Sequence, residues 1–508
     1  MTVPAAAIST VSIAGDPRRD FAQLLVPAIP WNPGSGFADA RPLIDEALAL
    51  GVGGFLLQGG EQDVVRALAK ELQIKSRHPL LIAANLERGA GQQFEGATGL
   101  PPVAAIAAIG DIESLKRAAR LTAREARTMG VNWNLSPVCD LDLLDNNPNI
   151  GTRALGSDPR KVGQLATAWV EACQAEGVLS CAKHFPGYGR AISDAYLETP
   201  LVEASAEVIK DQDLAPFRAV IAAGVASIMT AHVAYPALDP SRVPATLSRE
   251  LLQWLLRQQL KFDNLIVADS MDMAGVQAGA DIGETAVQAI RAGCDVLLQP
   301  GDLNTTLDAL VNALATGALD PDRVRQSVRR RLKWAQWASP PNDWRRPSGA
   351  DTAWGALLAD RVINVIHGPL PTIAGITEVM LIDDDEDVPG KRPERTFLLD
   401  ALRVGGTDAR QVDAPSAATS GGPLVIALYS DYLPFKKRTT LKPETVERVL
   451  RAREQAAELQ RETILLALGD PRFARQVPCN MPTVVAWSGD RVMQQAAARA
   501  MQRLKPKS

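Results

Sequence analysis

Lys183 and His184 end the apolar run Leu-Ser-Cys-Ala and open a Gly/Pro-rich loop that carries Asp194 and Glu198. Asp269 follows a second apolar run, Leu-Ile-Val-Ala, in the same way. Polar groups at the C-terminal ends of strands stand on rigid supports and face a ligand, with the loops above them free to vary. Carboxylates so placed can act as nucleophile or as general acid and base, and Asp269 and Asp194 are candidates for such work. Asp is also a preferred helix N-cap, which gives Asp269 a structural alternative, and Asp272 suits the first turn of the helix that follows.

Elements that could hold these groups are legible in the patterning. Eight short apolar runs, at 24–29, 54–57, 80–84, 131–138, 179–182, 226–230, 265–268 and 296–298, alternate with amphipathic segments. Strands alternating with helices imply parallel pairing through βαβ crossovers, and eight such units predict a closed (β/α)8 TIM-type barrel. A doubly wound dinucleotide-binding sheet would need Gly-x-Gly-x-x-Gly after its first strand, and none follows residue 29. The segment 112–129 puts Ile112, Leu115, Ala119 and Ala126 on one face, and 284–292 does the same with Ala286, Val287 and Ile290. A Pro-rich polar stretch after Trp337 divides the chain into a barrel at 1–340, a linker at 341–370 and a smaller α/β domain at 371–508. In the last, strand-like runs at 378–382, 424–429, 463–468 and 483–486 accompany a charged helix near 443–462. The acidic run 383–387 has neither the glycine nor the second ligand cluster of a cation cage, and is expected as a solvated turn.

Composition narrows the function classes. The 508 residues carry 54 Lys and Arg against 58 Asp and Glu, a net charge of −4 that offers no basic field to nucleic acid. No run reaches membrane-spanning length and the N-terminus lacks a basic n-region with an apolar core, so a soluble cytoplasmic protein is expected. Cys139, Cys173, Cys181, Cys294 and Cys479 show no metal-like spacing and are expected as buried reduced thiols.

Residues 183–189, Lys-His-Phe-Pro-Gly-Tyr-Gly, resemble the signature of family 3 glycoside hydrolases of the β-N-acetylglucosaminidase (β-N-acetylhexosaminidase) type, whose loop reads Lys-His-Phe-Pro-Gly-His-Gly and then Asp-Ser-His. Asp269-Ser-Met-Asp-Met resembles the family's nucleophile motif, and Ile-Gly-Thr-Arg153-Ala-Leu-Gly its Ile-Gly-x-Arg-Ser-Phe-Gly. The run from Asn134 to Asp140 and residues 226–247 around His232 extend the likeness over most of 20–335. The resemblance implies a retaining mechanism with Asp269 as nucleophile, sugar contacts from Arg153, Lys183 and His184, and Asp140 as a group that could orient Arg153 or Lys183. It implies a small carbohydrate substrate such as a peptidoglycan amino sugar, no metal or organic cofactor, no nucleic-acid or membrane partner, and a monomer or homodimer. Arg153 and Lys183 would then face a solvated mouth.

The sequence departs from that pattern in two loops. The family's Asp-x-Glu-Gly-Gly stands here as Asn85-Leu-Glu87-Arg88-Gly, so Asn85 holds a hydroxyl without a charge-assisted bond. Tyr188 and Tyr196 replace two loop histidines, the second of which donates the proton in the family, steered by the aspartate equivalent to Asp194. A phenol with a pKa of about 10 is a poor proton donor at neutral pH, where an imidazole of about 6.5 is well matched. Asp194 itself or Glu198, as a protonated carboxylic acid, is the candidate replacement. Against the enzyme stands a second reading, a catalytically impaired sugar-binding or regulatory pseudo-glycosidase. A third, a phosphosugar-binding barrel, finds little phosphate cradle in Gln299-Pro-Gly-Asp302.

Overall fold

The computed structural model describes residues 16–277, 280–338, 348–373, 375–390, 392–417, 421–478 and 480–503. Cys479, the start of the chain and the Pro-rich stretch at 339–347 lie outside them. Two compact units emerge. The first takes the described residues of Met1–Thr98, Leu115–Leu144 and Ala154–Ser348; the second takes Gly99–Ser114, Asp145–Arg153 and Gly349–Ser508.

The first unit is the expected barrel. Its strands are β1 (Leu25–Val26, resumed as Ala28–Pro30), β2 (Gly54–Gln58), β3 (Leu81–Ala84), β4 (Trp133–Asn134), β5 (Leu179–Phe185), β6 (Ser227–Thr230), β7 (Leu265–Ala268) and β8 (Val296–Leu298). All pair in parallel with their chain neighbours. Closure falls on β1, which Pro27 interrupts: Leu25 and Val26 pair with β8, Ala28 to Pro30 with β2. A proline has no N–H for the ladder, so the strand changes partner there. Alternate side chains fill the interior, among them Leu81 and Ala83, Leu179 and Cys181, Leu265 and Val267, Val296 and Leu298. Trp334 and Ala335 of the helix Pro321–Trp337 pack against this cluster.

The outer helices form as the patterning predicts, with one local difference. In Ile112–Thr128, Leu115, Ala119 and Ala126 are buried while Ile112, at the first turn, is exposed. In Ile282–Ala292, Ala286 and Ile290 are buried and Asp281 caps the N-terminus through Gly283 and Glu284 N–H. Cys139, Cys173, Cys181 and Cys294 are buried free thiols. Burial pushes the last three up to about 12, which keeps them unreactive.

The second unit is a three-layer sheet. Its strands are β9 (Asn364–Ile366), β10 (Ile376–Asp383), β11 (Asp408–Gln411), β12 (Gly421–Ser430), β13 (Thr463–Gly469) and β14 (Thr483–Val485), in the order β9-β14-β13-β12-β10-β11, with only β9 antiparallel. Part of the stretch 341–370 expected as linker is structured: it contains the helix Gly349–Val362 and β9, and Val362 carbonyl accepts from Trp487 Nε1 at 3.0 Å. The acidic run is not a solvated turn. Asp384 and Asp385 are buried, Lys436 Nζ stands 2.7 Å from Asp385, and Asp384 Oδ1 accepts from Thr445 Oγ1 at 2.7 Å. Asp384 and Asp385 follow β10 at the point where the strand order reverses between β10 and β12, the usual ligand position of such a sheet. Among the described residues no helix is long and apolar enough to cross a membrane, and no group of three or more His, Cys, Asp or Glu could hold a metal ion.

Candidate active site

Strand ends of the barrel gather the predicted residues in three linked groups. At the end of β3, Asn85 and Glu87 lie in a turn whose backbone is held by Asn134: its Oδ1 accepts from Leu86 N–H and its Nδ2 donates to Leu86 carbonyl, each at 3.1 Å. Across from them on β5, Lys183 Nζ stands 2.7 Å from Glu87 Oε1 and donates to Asn85 Oδ1 at 2.9 Å. Lys183 is 2 % exposed, so it does not face a solvated mouth as expected. Its ammonium is desolvated and paired, which a buried charge requires. Glu87, which the sequence reading passed over, supplies that counter-charge.

Asp140, fully buried after β4, organises the start of the β5 loop. Its Oδ2 accepts from His184 Nδ1 at 2.7 Å, and its Oδ1 from the N–H of His184 at 3.1 Å and of Tyr188 at 2.7 Å. His184 therefore has its ring orientation set from below. Asp140 orients His184 and the Tyr188 backbone, while the pairing of Lys183 falls to Glu87.

Asp269 ends β7 and is half-buried, with Oδ1 accepting from Ser270 N–H at 2.8 Å. Burial pushes its carboxyl pKa up, but His184, His232, the Ser270 N–H and Lys183 outweigh that and hold it below the ordinary carboxylate value. His232 stands at 3.0 Å from Ser270 carbonyl through Nε2, which only a donor can approach, and its Nδ1 lies 2.7 Å from Thr246 Oγ1. Burial lowers the His232 pKa, and the nearby Asp269 carboxylate opposes that shift. Gln299, at a positive φ of 45° after β8, accepts from Ser270 Oγ at 2.6 Å and donates to Asp272 Oδ2 at 3.0 Å. Asp272 is thus a support of the Asp269 turn. His232 lies within the stretch that extends the family likeness and Gln299 within a weak phosphate-cradle motif, and neither motif points to a role at Asp269.

Asp194 is 5 % exposed on the loop after β5, and its Oδ1 accepts from Tyr196 N–H at 3.0 Å. Tyr196 is half-buried and Glu198 is exposed. The Asp194 loop is seated on the Asp269 side of the barrel, because Ala195 carbonyl accepts from Gly275 N–H at 2.8 Å and Thr199 Oγ1 donates to Gly275 carbonyl at 2.7 Å. Arg153 is the one predicted residue outside this unit. It ends a segment that belongs to the second unit, where its Nη1 donates to Asn149 carbonyl at 2.9 Å.

The closed parallel barrel places the Lys-His pair and the Asp194 loop after β5 and Asp269 after β7, at the strand ends where enzymes of this fold class build their active sites. Residues 21–333 match the glycosyl hydrolase family 3 N-terminal domain, and the chain belongs to that family. It is 36 % identical over 292 residues to a β-N-acetylglucosaminidase/β-glucosidase of Cellulomonas fimi, a match covering 56 % of this chain and 52 % of that protein. A β-hexosaminidase of Thiobacillus denitrificans is 37 % identical over 268 residues, 51 % of this chain and 74 % of the relative. Among solved structures, a family 3 β-N-acetylglucosaminidase from Paenibacillus sp. FPU-7 superposes with a TM-score of 0.80 at 26 % identity, covering 96 % of each chain.

Proposed function

We propose that the protein is a retaining β-glycosidase acting on β-linked N-acetylhexosamine or related sugars. The observation that carries this reading is Asp269, an anionic carboxylate at a barrel strand end with two histidines and a lysine stabilising its charge. Its carboxylate attacks the anomeric carbon, a covalent glycosyl-enzyme forms, and the bond to the leaving oxygen breaks. Water then displaces Asp269 and completes hydrolysis with retention. Asn85, Lys183 and His184 hold the sugar hydroxyls, with Asp140 orienting His184, and Arg153 is assigned a sugar contact by motif alone. Asp194 serves the leaving oxygen on an atypical loop in which Tyr196 stands where the family has histidine. The same reading takes a small carbohydrate as ligand, without metal or organic cofactor, in a cytoplasmic monomer or homodimer that recycles peptidoglycan amino sugars.

The test is turnover of aryl β-glycosides with good and poor leaving groups, together with labelling by a slow fluorosugar. The label is expected on the Asp269 peptide, and Asp269→Asn is expected to abolish turnover. A steep dependence of the rate on leaving-group pKa would show that Asp194 is an inefficient acid, and Tyr196→His beside it would then flatten the dependence and raise poor substrates by about 10²-fold. Labelling of another carboxylate removes the nucleophile assignment. Sugar binding with no cleavage by either protein replaces the enzyme with the pseudo-glycosidase.

A further inference from the structure

Tyr188 differs from the family pattern, and its hydroxyl is committed to the backbone on both sides of Asp194. It donates to Ser193 carbonyl and accepts from Ala195 N–H, each at 3.0 Å. A phenol has one proton to give and can accept in return, so both bonds form together. The ring that carries the hydroxyl is itself anchored. Tyr188 is 6 % exposed, its N–H donates to Asp140 Oδ1 at 2.7 Å, and its ring meets His184 edge-on with centroids 6.1 Å apart.

The two peptide groups flanking Asp194 are thereby tied to the same buried carboxylate that orients His184. A second tie comes from the nucleophile side. Gly275 sits in the helical turn Ala274–Gln277 that follows Asp269, and bonds the Ala195 carbonyl at 2.8 Å and the Thr199 hydroxyl at 2.7 Å. Ala195 is held by its N–H from Tyr188 and by its carbonyl from Gly275, one residue beyond Asp194.

We propose that Tyr188 is a positioning residue: its hydroxyl locks the Asp194 loop into one conformation relative to Asp269 before substrate arrives. The proposal rests on the reading of Asp194 and Asp269 as the catalytic pair. A preset loop gives proton transfer its geometry without an ordering step at each turnover, which is where orientation accelerates a reaction.

Tyr188→Phe keeps the ring and removes the hydroxyl with its bonds to Ser193 carbonyl and Ala195 N–H. It is expected to lower kcat for poor leaving groups about 10- to 10²-fold, with KM changed by less than about 2-fold because no sugar contact is lost. Activated leaving groups, which need no proton, are expected to be cleaved far less affected. Amide exchange at Ala195 in the ligand-free protein is expected to quicken by about 10-fold or more as its acceptor is removed. Asp194→Asn is measured alongside with the same substrates. The leaving-group split in Tyr188→Phe with faster exchange at Ala195 supports the proposal. An equal loss on all substrates, or a lower Tm with the split absent, makes Tyr188 merely structural and overturns it. Full activity of Asp194→Asn on poor leaving groups refutes the reading of Asp194 independently of what Tyr188→Phe does.

Discussion

Gly275→Ala tests how tightly the Asp194 loop is seated on the turn after Asp269. A Cβ built at Gly275 would lie 2.7 Å from Ala195 carbonyl oxygen and 2.9 Å from Glu198 carbonyl oxygen, both backbone atoms with no side-chain freedom to yield. Non-bonded heavy atoms settle at about 3.5 Å, so the loop must withdraw by roughly 0.5–1 Å. The position is helical, where alanine itself is favoured by about 0.5–1 kcal/mol. Overpacking costs about 1–3 kcal/mol, leaving a net destabilisation of roughly 0–2.5 kcal/mol. The catalytic consequence is larger, because Asp194 moves with its loop and a 1 Å misplacement costs up to about 10²-fold in rate. Steady-state kinetics on poor leaving groups and thermal unfolding of the same preparation provide the comparison. Wild-type kinetics with an unchanged Tm would refute the close seating of the loop, and a lower Tm with wild-type kinetics would reduce Gly275 to a packing role.

Asp295 is fully buried before β8 with Arg257, Arg323 and Arg330 on its carboxylate, so Asp295→Asn should cost about 3–5 kcal/mol in urea unfolding. Burial opposes but the arginines hold its pKa far below the usual range, so its contribution is in place above the unfolded carboxylate value and is lost as pH falls through the folded one. Lys183→Ala should lower stability as well as sugar affinity, by a similar amount, since it strips the cation from buried Glu87; an unchanged Tm would show the pair to be solvent-screened. His78 has its pKa lowered from 6.5 to about 4 by burial and by Arg331, so the unfolded chain binds the extra proton between those values. Wild type should therefore lose up to roughly 2–3 kcal/mol as pH falls across that window, and His78→Gln should show a flat profile there. Asp269 is held below the ordinary carboxylate value, so the acid limb of kcat/KM attributable to the nucleophile should lie below about pH 4.

Much of the architecture was open to inspection in the chain because burial on both faces leaves a continuous apolar run. Each of the eight runs corresponds to a barrel strand, and β12 and β13 were legible for the same reason. The strands β9 and β11 escaped because they are short and mostly exposed, Asn-Val-Ile and Asp-Ala-Arg-Gln, with no run to betray them. The strand ends were equally legible: Asp269 and Lys183-His184 are polar residues that terminate apolar runs.

What the sequence determined by itself was therefore periodic or contiguous: the barrel, the strand-end positions and the motif likeness, all carried by residues close in the chain. Tertiary structure alone decided the pairings. Glu87 meets Lys183 over 96 positions, Gly275 meets Ala195 and Thr199, and Arg153 falls in the second unit although its motif sits amid barrel segments. The acidic run 383–387 reads as hydrophilic until Lys436 and Thr445 are brought onto it. Charge and hydrogen-bonding capacity belong to a residue type, whereas desolvation and the partner that compensates it belong to a place, and places are created only when distant strands are brought side by side.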